Sequence, residues 1–268
     1  MSPKRMTSWT LSAASLLLAG GLAYAAGQYG PGASDAEIKL GNTMPYSGPA
    51  SAYGAIGKAE VAYFNMINEQ GGINGRRINF ITRDDGYSPP KTVELVRKMV
   101  EEDQVLALFN TLGTPPNTAI QAYANDNKVP QLFVATGADK WGDYKDFHWT
   151  IGWQPSYRTE AQIYAKYILK EKPNAKIAIL YQNDDFGKDY LAGMKDVLGN
   201  KYASMVTEAS YETTDATIDS QIVSLQSSGA DTLLIVATPK SSSATPCPIA
   251  VRPRPMARSA RPKSPIST

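Results

Sequence analysis

Short apolar runs and amphipathic segments alternate from residue 38 to residue 237. Runs that are wholly apolar or alternate with polar residues predict β-strands, and apolar residues three and four positions apart predict helices. The predicted strands are 38–44, 77–83, 105–109, 131–134, 147–151, 175–181, 203–210 and 232–237. The predicted helices are 52–70, 89–100, 114–127, 159–170, 190–198 and 218–227. Such regular alternation predicts parallel sheets with helices on both faces.

The alternation restarts close to residue 153, which divides the strands and helices into two successive series. We therefore expect an N-terminal α/β lobe over residues 36–152 and a partial C-terminal α/β lobe over 153–240, with a cleft between them. The predicted fold class is α/β, with two Rossmann-like doubly wound lobes of which the second is incomplete.

Small and hydroxyl-bearing residues follow two neighbouring predicted strands, at 110–113 and 135–137. Parallel strands joined through a helix end at the same sheet edge, so the two turns should lie side by side. Thr114, before Pro115 and Pro116, is predicted to be the hydroxyl N-cap of the helix between them. Free N–H groups at that helix end would favour a carboxylate. The alternative is that both are ordinary turns with no ligand.

Charge changes this picture little, because the formal net charge of +2 comes from the two ends of the chain. Residues 26–240 carry 20 Lys and Arg against 25 Asp and Glu, which argues against nucleic acid and anionic membranes as partners. Cys247 is the single cysteine, so a disulfide or a cysteine-based metal site within one chain is excluded. The single histidine, His148, is expected to be partly buried and structural. No metal and no cofactor are predicted.

The two ends of the chain differ in composition from its body. Residues 1–25 have a basic start, an apolar run and Ala23-Tyr24-Ala25, which predicts a cleaved signal peptide. Residues 26–35 are predicted to be a flexible leader. Residues 241–268 are Pro-rich and lack acidic residues, which predicts a disordered tail. We expect this tail to be an out-of-frame product of a truncated gene; the alternative is a native basic tail.

Five sequence strings between Ile38 and Lys240 carry a resemblance to a known family. They are IKLGNTMPYSGPASAYG at 38–54, FNMINEQGGINGRRI at 64–78, DDGYSPPKTVELVRKMV at 84–100, NTLGTPPN at 110–117 and IAILYQNDDFGKDY at 177–190. This region resembles the periplasmic solute-binding proteins of branched-chain amino acid ABC transporters, the leucine/isoleucine/valine-binding family. The resemblance implies the type I periplasmic binding protein fold, which closes around one ligand.

The resemblance also implies a set of ligand contacts. A hydroxyl residue after the third strand and main-chain groups after the fourth would hold the ligand carboxylate, and one aromatic ring from each lobe would cover the ligand. The implied ligand-binding residues are Tyr53, Thr111, Leu112, Gly113, Ala135, Thr136, Gly137 and Phe186. Family members often carry Thr where this chain has Gly137, and amino acid binders often carry Tyr where it has Phe186. The acidic partner of the ligand ammonium would lie beyond Lys240.

By resemblance, the protein is a periplasmic receptor that delivers a branched-chain amino acid or a related small carboxylate to inner-membrane ABC permease subunits, as a monomer. The departures at Gly137 and Phe186 leave aromatic acids, amides or urea as alternative ligands. A ligand-sensing module of a signalling protein is another alternative, although the signal peptide argues for export. No catalytic residues are predicted, since no hydroxyl nucleophile has a candidate base nearby. The short chain is expected to bind weakly or to be non-functional.

Overall fold

The computed structural model describes residues 27–245, where strands and helices alternate as the sequence predicts. The predicted signal peptide and residues 246–268 of the predicted tail lie outside this range. The first sheet is wholly parallel, with its strands in the order β2-β1-β3-β4-β5. Its strands are β1 (Glu37–Met44), β2 (Arg77–Asp84), β3 (Ala107–Phe109), β4 (Gln131–Val134) and β5 (Thr150–Gly152).

A second parallel sheet follows in the chain, with its three strands in the order β7-β6-β8. Its strands are β6 (Ile177–Gln182), β7 (Val206–Tyr211) and β8 (Thr232–Val236). In both sheets the first strand lies between the second and the third. This order places a switch point beside the first strand, where ligands bind in open α/β sheets.

Helices connect the strands and cover the sheets. They are α1 (Gly54–Glu69), α2 (Pro89–Glu101), α3 (Thr114–Asp126), α4 (Tyr157–Glu171), α5 (Asp185–Leu198), α6 (Tyr202–Met205), α7 (Asp219–Ser227) and α8 (Pro239–Ser243). Short 3₁₀ turns occupy Ser51–Tyr53, Asp139–Gly142 and Gly199–Lys201. The last helix extends into the first residues of the predicted tail.

Several helix starts differ from the sequence predictions. Gly113, with φ 100°, is the N-cap of α3, and Thr114 is its first residue rather than a hydroxyl cap. This φ is in the left-handed region that favours glycine. The Asp184 carboxylate accepts the Phe186 and Gly187 amide hydrogens, so α5 begins five residues earlier than predicted. Ser156 caps α4 in the same way, by accepting from the Thr159 amide.

Apolar side chains pack the first sheet against α2 and α3 on one face. Val96 and Met99 of α2, Leu108 of β3 and Ile120 of α3 form the centre of this core and are fully buried. The other face carries a row of aromatic rings, Phe80, Phe109, Phe133 and Trp153, in edge-to-face contact. In the second sheet, α4 and α5 cover one face and α7 covers the other.

Two further expectations differ from the structure. Part of the predicted flexible leader is attached to the first strand, since the Lys39 amide donates to the Gly32 carbonyl over 2.7 Å. His148 is exposed rather than partly buried, because the chain turns outward just before β5. Its Nδ1 atom contacts the Tyr144 carbonyl oxygen within that turn.

Candidate functional site

The carboxyl ends of the two sheets face one another across a cavity of about 90 Å³. Both lobes contribute to its walls, and aromatic rings and threonine hydroxyl groups make up most of them. The lining residues are Tyr53, Ile56, Tyr87, Leu112, Gly113, Thr114, Ala135, Thr136, Gln154, Tyr157, Phe186 and Thr238. A cleft at the strand ends is where ligands are expected in this class of fold.

Two threonine hydroxyl groups meet at the first lobe's wall. The Thr114 Oγ1 and Thr136 Oγ1 atoms lie 2.5 Å apart, and both residues are buried. Thr114 opens α3, and because Pro115 and Pro116 carry no N–H, its main-chain N–H stands alone in the first turn. Since one of these hydroxyl groups donates to the other, this end of the helix offers one free O–H and one amide to a ligand oxygen.

A buried polar network lies directly behind this wall. The Asn117 side chain donates to the main-chain carbonyls of Thr111 and Gly113 over 2.9 and 2.8 Å. Its own oxygen accepts from Gln131 Nε2 over 2.8 Å and from the Thr111 hydroxyl group. The Thr111 hydroxyl group is thus turned into the lobe, and Thr111 is not among the residues that line the cavity.

Gly137 also lies behind the cavity wall, where Pro155 and Tyr157 come close to its backbone. A Cβ atom added there would lie 2.5 Å from the Pro155 carbonyl oxygen and 2.8 Å from ring carbons of Tyr157. The Tyr157 amide donates to the Gly137 carbonyl over 2.7 Å. At Gly137 the ring of Tyr157 occupies the space that a side chain would fill.

The second lobe's wall begins at Phe186, in the first turn of α5. Asp184 caps this helix, and burial raises the pKa of its carboxyl group. Gln182 Nε2 donates to Asp184 over 2.5 Å, and Gln182 Oε1 accepts from the Tyr211 hydroxyl group over 3.1 Å. That hydroxyl oxygen in turn accepts the Thr238 amide over 2.7 Å. These bonds fix the ends of β6, β7 and β8 relative to one another.

Two tyrosines of the first lobe reach into the cleft. Tyr87 has a left-handed backbone with φ 63°, which is uncommon for a bulky residue and is held by the Asp85 carboxylate accepting its amide over 2.9 Å. The Tyr87 hydroxyl group lies beside Gln182 of the second lobe, and burial raises the pKa of this phenol far above its usual range. Burial also raises the pKa of Tyr53. Both phenols are neutral at pH 7.

The lobes are also joined outside the cavity. Lys140 Nζ lies 3.1 Å from the Asp185 carboxylate, and the Asp139 amide donates to Asp189 over 2.8 Å. Residues 139–142 belong to the first lobe and α5 to the second, so these bonds join the two lobes beside the cavity.

Six of the eight predicted site residues line the cavity: Tyr53, Leu112, Gly113, Ala135, Thr136 and Phe186. The other two, Thr111 and Gly137, lie just behind it. Sequence reasoning missed six lining residues, which are Ile56, Tyr87, Thr114, Gln154, Tyr157 and Thr238. Thr238 follows a strand, so the rule that pointed to Thr136 also applies to it. Gln154 and Tyr157 come from the crossing between lobes, which carried no recognisable signal.

Residues 27–245 contain no group of three or more His, Cys, Asp and Glu side chains placed to hold a metal ion. None of the helices in the same range is long and apolar enough to cross a membrane.

Comparison with known proteins gives a family match over most of the chain. The sequence model of a family described as "Periplasmic binding protein" matches residues 37–245. Leu/Ile/Val-binding protein homolog 7 of Brucella abortus (strain 2308) is 25% identical over 223 residues, covering 80% of this chain and 55% of that protein. Homolog 1 of the same strain is 28% identical over 193 residues, covering 68% and 48%. The chain spans about half the length of these curated relatives.

Solved structures agree with this match. A possible leucine/isoleucine/valine-binding protein from Rhodopirellula baltica SH 1 superposes with a TM-score of 0.69 at 23% identity, covering 78% of this chain and 58% of that one. A fatty acid ABC transporter substrate-binding protein from Thermomonospora curvata gives 0.61 at 24% identity, covering 77% and 52%. The likeness establishes the fold and confirms the predicted α/β class with two Rossmann-like lobes.

Proposed function

The chain belongs to the periplasmic binding protein family, and from this premise we propose that it is an extracytoplasmic solute-binding protein. Its ligand is a small molecule that bears a carboxylate, either a branched-chain amino acid or a related acid. The ligand is bound in the cleft between the two lobes and delivered to the permease subunits of an inner-membrane ABC importer. The family is of the solute-binding type rather than an enzyme family.

The names of the related proteins support a carboxylate as the common ligand feature. The Brucella proteins are named for leucine, isoleucine and valine, and the Thermomonospora protein for a fatty acid. These molecules differ in size and in their amino group, but all of them carry a carboxylate beside an aliphatic portion. A site with hydroxyl donors beside apolar and aromatic side chains suits both portions.

The observation that carries the proposal is the pair of threonine hydroxyl groups at the N-terminus of α3. Thr114 and Thr136 converge on one side of the cavity, where the positive end of the helix dipole favours a negative oxygen. Tyr53 and Phe186 present rings to the same space. We assign the carboxylate to the threonine side and the apolar portion to the rings, with Thr111 and Gly137 supporting the wall from behind.

Isothermal titration calorimetry with the full chain tests this assignment. The ligand panel is valine, leucine, phenylalanine, benzoate, decanoate and urea. Replacing Thr136 by valine removes a hydroxyl group at nearly constant volume and should weaken binding of a carboxylate by about 1.5–3 kcal/mol. Thr159→Val makes the same change on the exposed side of α4 and is the matched control. Equal losses in the two variants would contradict the proposal. No binding by any panel member would contradict it for this chain and would agree with the sequence-based expectation that the short chain is non-functional.

The proposed location follows from the family and from the predicted signal peptide. We expect cleavage after Ala25, so that the exported protein begins at Ala26. N-terminal sequencing of protein released by osmotic shock checks this, and an N-terminus at Met1 would count against export.

A further inference from the structure

We propose that Tyr157 determines which ligands the cavity accepts, because its ring limits ligand size and its hydroxyl group selects for a hydrogen-bond acceptor. This inference rests on the proposed function, since it concerns the same cavity. It adds a specificity-determining residue that comes from the crossing between the lobes rather than from either sheet edge.

The backbone of Tyr157 is fixed at a junction. Tyr157 is the first residue of α4 and directly follows the crossing at 153–156. Ser156 caps the helix by accepting the Thr159 amide over 3.1 Å, which holds the first turn in place. The Tyr157 amide donates in the other direction, to Gly137 of the first lobe, over 2.7 Å. The residue is therefore tied to both lobes before its side chain is considered.

The ring of Tyr157 is confined from both sides. On the first lobe it lies so close to Gly137 that a Cβ atom there would be 2.8 Å from two ring carbons. On the second lobe its centroid lies 4.8 Å from that of Phe186 and 5.3 Å from that of Tyr190. Ring distances in this range are favourable for aromatic pairs. A ring held on both sides has little room to turn away, so it forms a fixed wall of the cavity.

Because the cavity is small, the position of the Tyr157 ring affects which ligands fit. Its volume is about 90 Å³, whereas a dry cavity of about 150 Å³ is enough to hold benzene. A ligand with a bulky apolar portion must therefore displace a side chain, open the lobes or extend out of the open side of the cavity. Tyr157 is the large lining side chain whose backbone is tied to both lobes, so its removal should enlarge the accepted ligand the most.

The hydroxyl group of Tyr157 is poised to donate to a ligand. Burial raises the pKa of this phenol, so it keeps its proton at neutral pH. Its hydrogen bond to Gln154 Oε1 spans 3.4 Å, beyond the usual range, and can be exchanged for a better acceptor. The Thr136 side chain is its neighbour. A carboxylate held by Thr136 would therefore receive a further donor from Tyr157, and a charged acceptor would gain more than a neutral amide.

Calorimetry on the full chain with Tyr157→Phe, Tyr157→Ala and a control tests both parts. Tyr164→Phe is the control, because Tyr164 stacks on Tyr190 in the same ring cluster, bonds Glu160, and does not line the cavity. Two series of increasing size are used. The first is valine, leucine and phenylalanine, and the second is benzoate and 2-naphthoate. The acceptor pairs are leucine with leucinamide and benzoate with benzamide.

Tyr157→Phe should weaken carboxylate binding about tenfold to a hundredfold, as expected for a hydrogen bond to a charged group, and weaken binding of the amide less. Tyr157→Ala should shift preference towards the larger member of the series by about tenfold. Tyr164→Phe should change neither. If the wild type binds, and both Tyr157 variants keep its order of affinities within each size series and each acid–amide pair, this inference is wrong and the proposed function stands. If the wild type binds nothing in either series, both fail.

Discussion

Asn117 is the hub of the network behind the cavity wall, and its removal should destabilise the first lobe strongly. The fully buried side chain makes four hydrogen bonds, to the carbonyls of Thr111 and Gly113, to Gln131 and to the Thr111 hydroxyl group. At about 1 kcal/mol for each bond, Asn117→Ala should cost about 3–5 kcal/mol of unfolding free energy. The upper part of this range applies if no water molecule hydrogen-bonds to the buried groups that lose their partner.

Urea unfolding followed by tryptophan fluorescence measures this loss of unfolding free energy in the first lobe, where Asn117 lies. Trp141 and Trp149 lie in the first lobe and Trp153 lies at the boundary between the lobes, and residues 154–245 contain no tryptophan. With a denaturant dependence of about 2 kcal/mol per M, the midpoint should fall by about 2 M. Asn127→Ala is the control, since the side chain of this exposed residue makes one hydrogen bond, to the Tyr123 carbonyl. Equal midpoints for the two variants would refute the reasoning.

Two other groups give predictions of different kinds. Burial raises the pKa of Glu60 from 4.5 to about 7, so the folded chain holds this proton more tightly than the unfolded chain does. Stability should therefore fall as pH rises from about 4.5 to about 7. The urea midpoint should be lower at pH 8 than at pH 5, and Glu60→Gln should reduce this difference by the contribution of Glu60. Lys140→Met breaks the contact with Asp185 across the cleft and should weaken ligand binding two- to fivefold, less at 1 M salt. Lys98→Met, which breaks a pair with Glu102 at the C-terminal end of α2, should leave calorimetric affinity unchanged.

The alternation of strands and helices was readable from sequence because buried parallel strands are apolar runs. The run predicted at 175–181 became β6, which starts two residues later and ends one residue later, and 131–134 became β4 without any shift. The start of α5 was missed because residues 185–189 lack helical apolar spacing, and a single carboxylate, that of Asp184, initiates the helix. A helix start that is set by one capping side chain does not change the spacing of apolar residues, so that spacing does not reveal it.

The candidate site was predictable to the level of turns but not of side-chain direction. The rule that strand ends converge pointed to Thr136, which lines the cavity, and also to Thr111, whose hydroxyl group turns inward. That direction is decided by Asn117, which depends on Gln131 in another strand. Tyr87 and Tyr157 reach the cavity from a loop and from the crossing, and only the assembled lobes bring them together. Whether these residues bind a ligand is still a prediction.

The strand order described above also bears on how the chain folds. In the first sheet, Leu40 of β1 pairs with Ala107 of β3, and in the second, Ile177 of β6 pairs with Thr232 of β8. Pairing partners so distant in sequence close large loops before any contact compensates for the lost chain entropy, which slows folding. The first sheet cannot be completed until β5 has left the ribosome, and the second cannot be completed until β8 has.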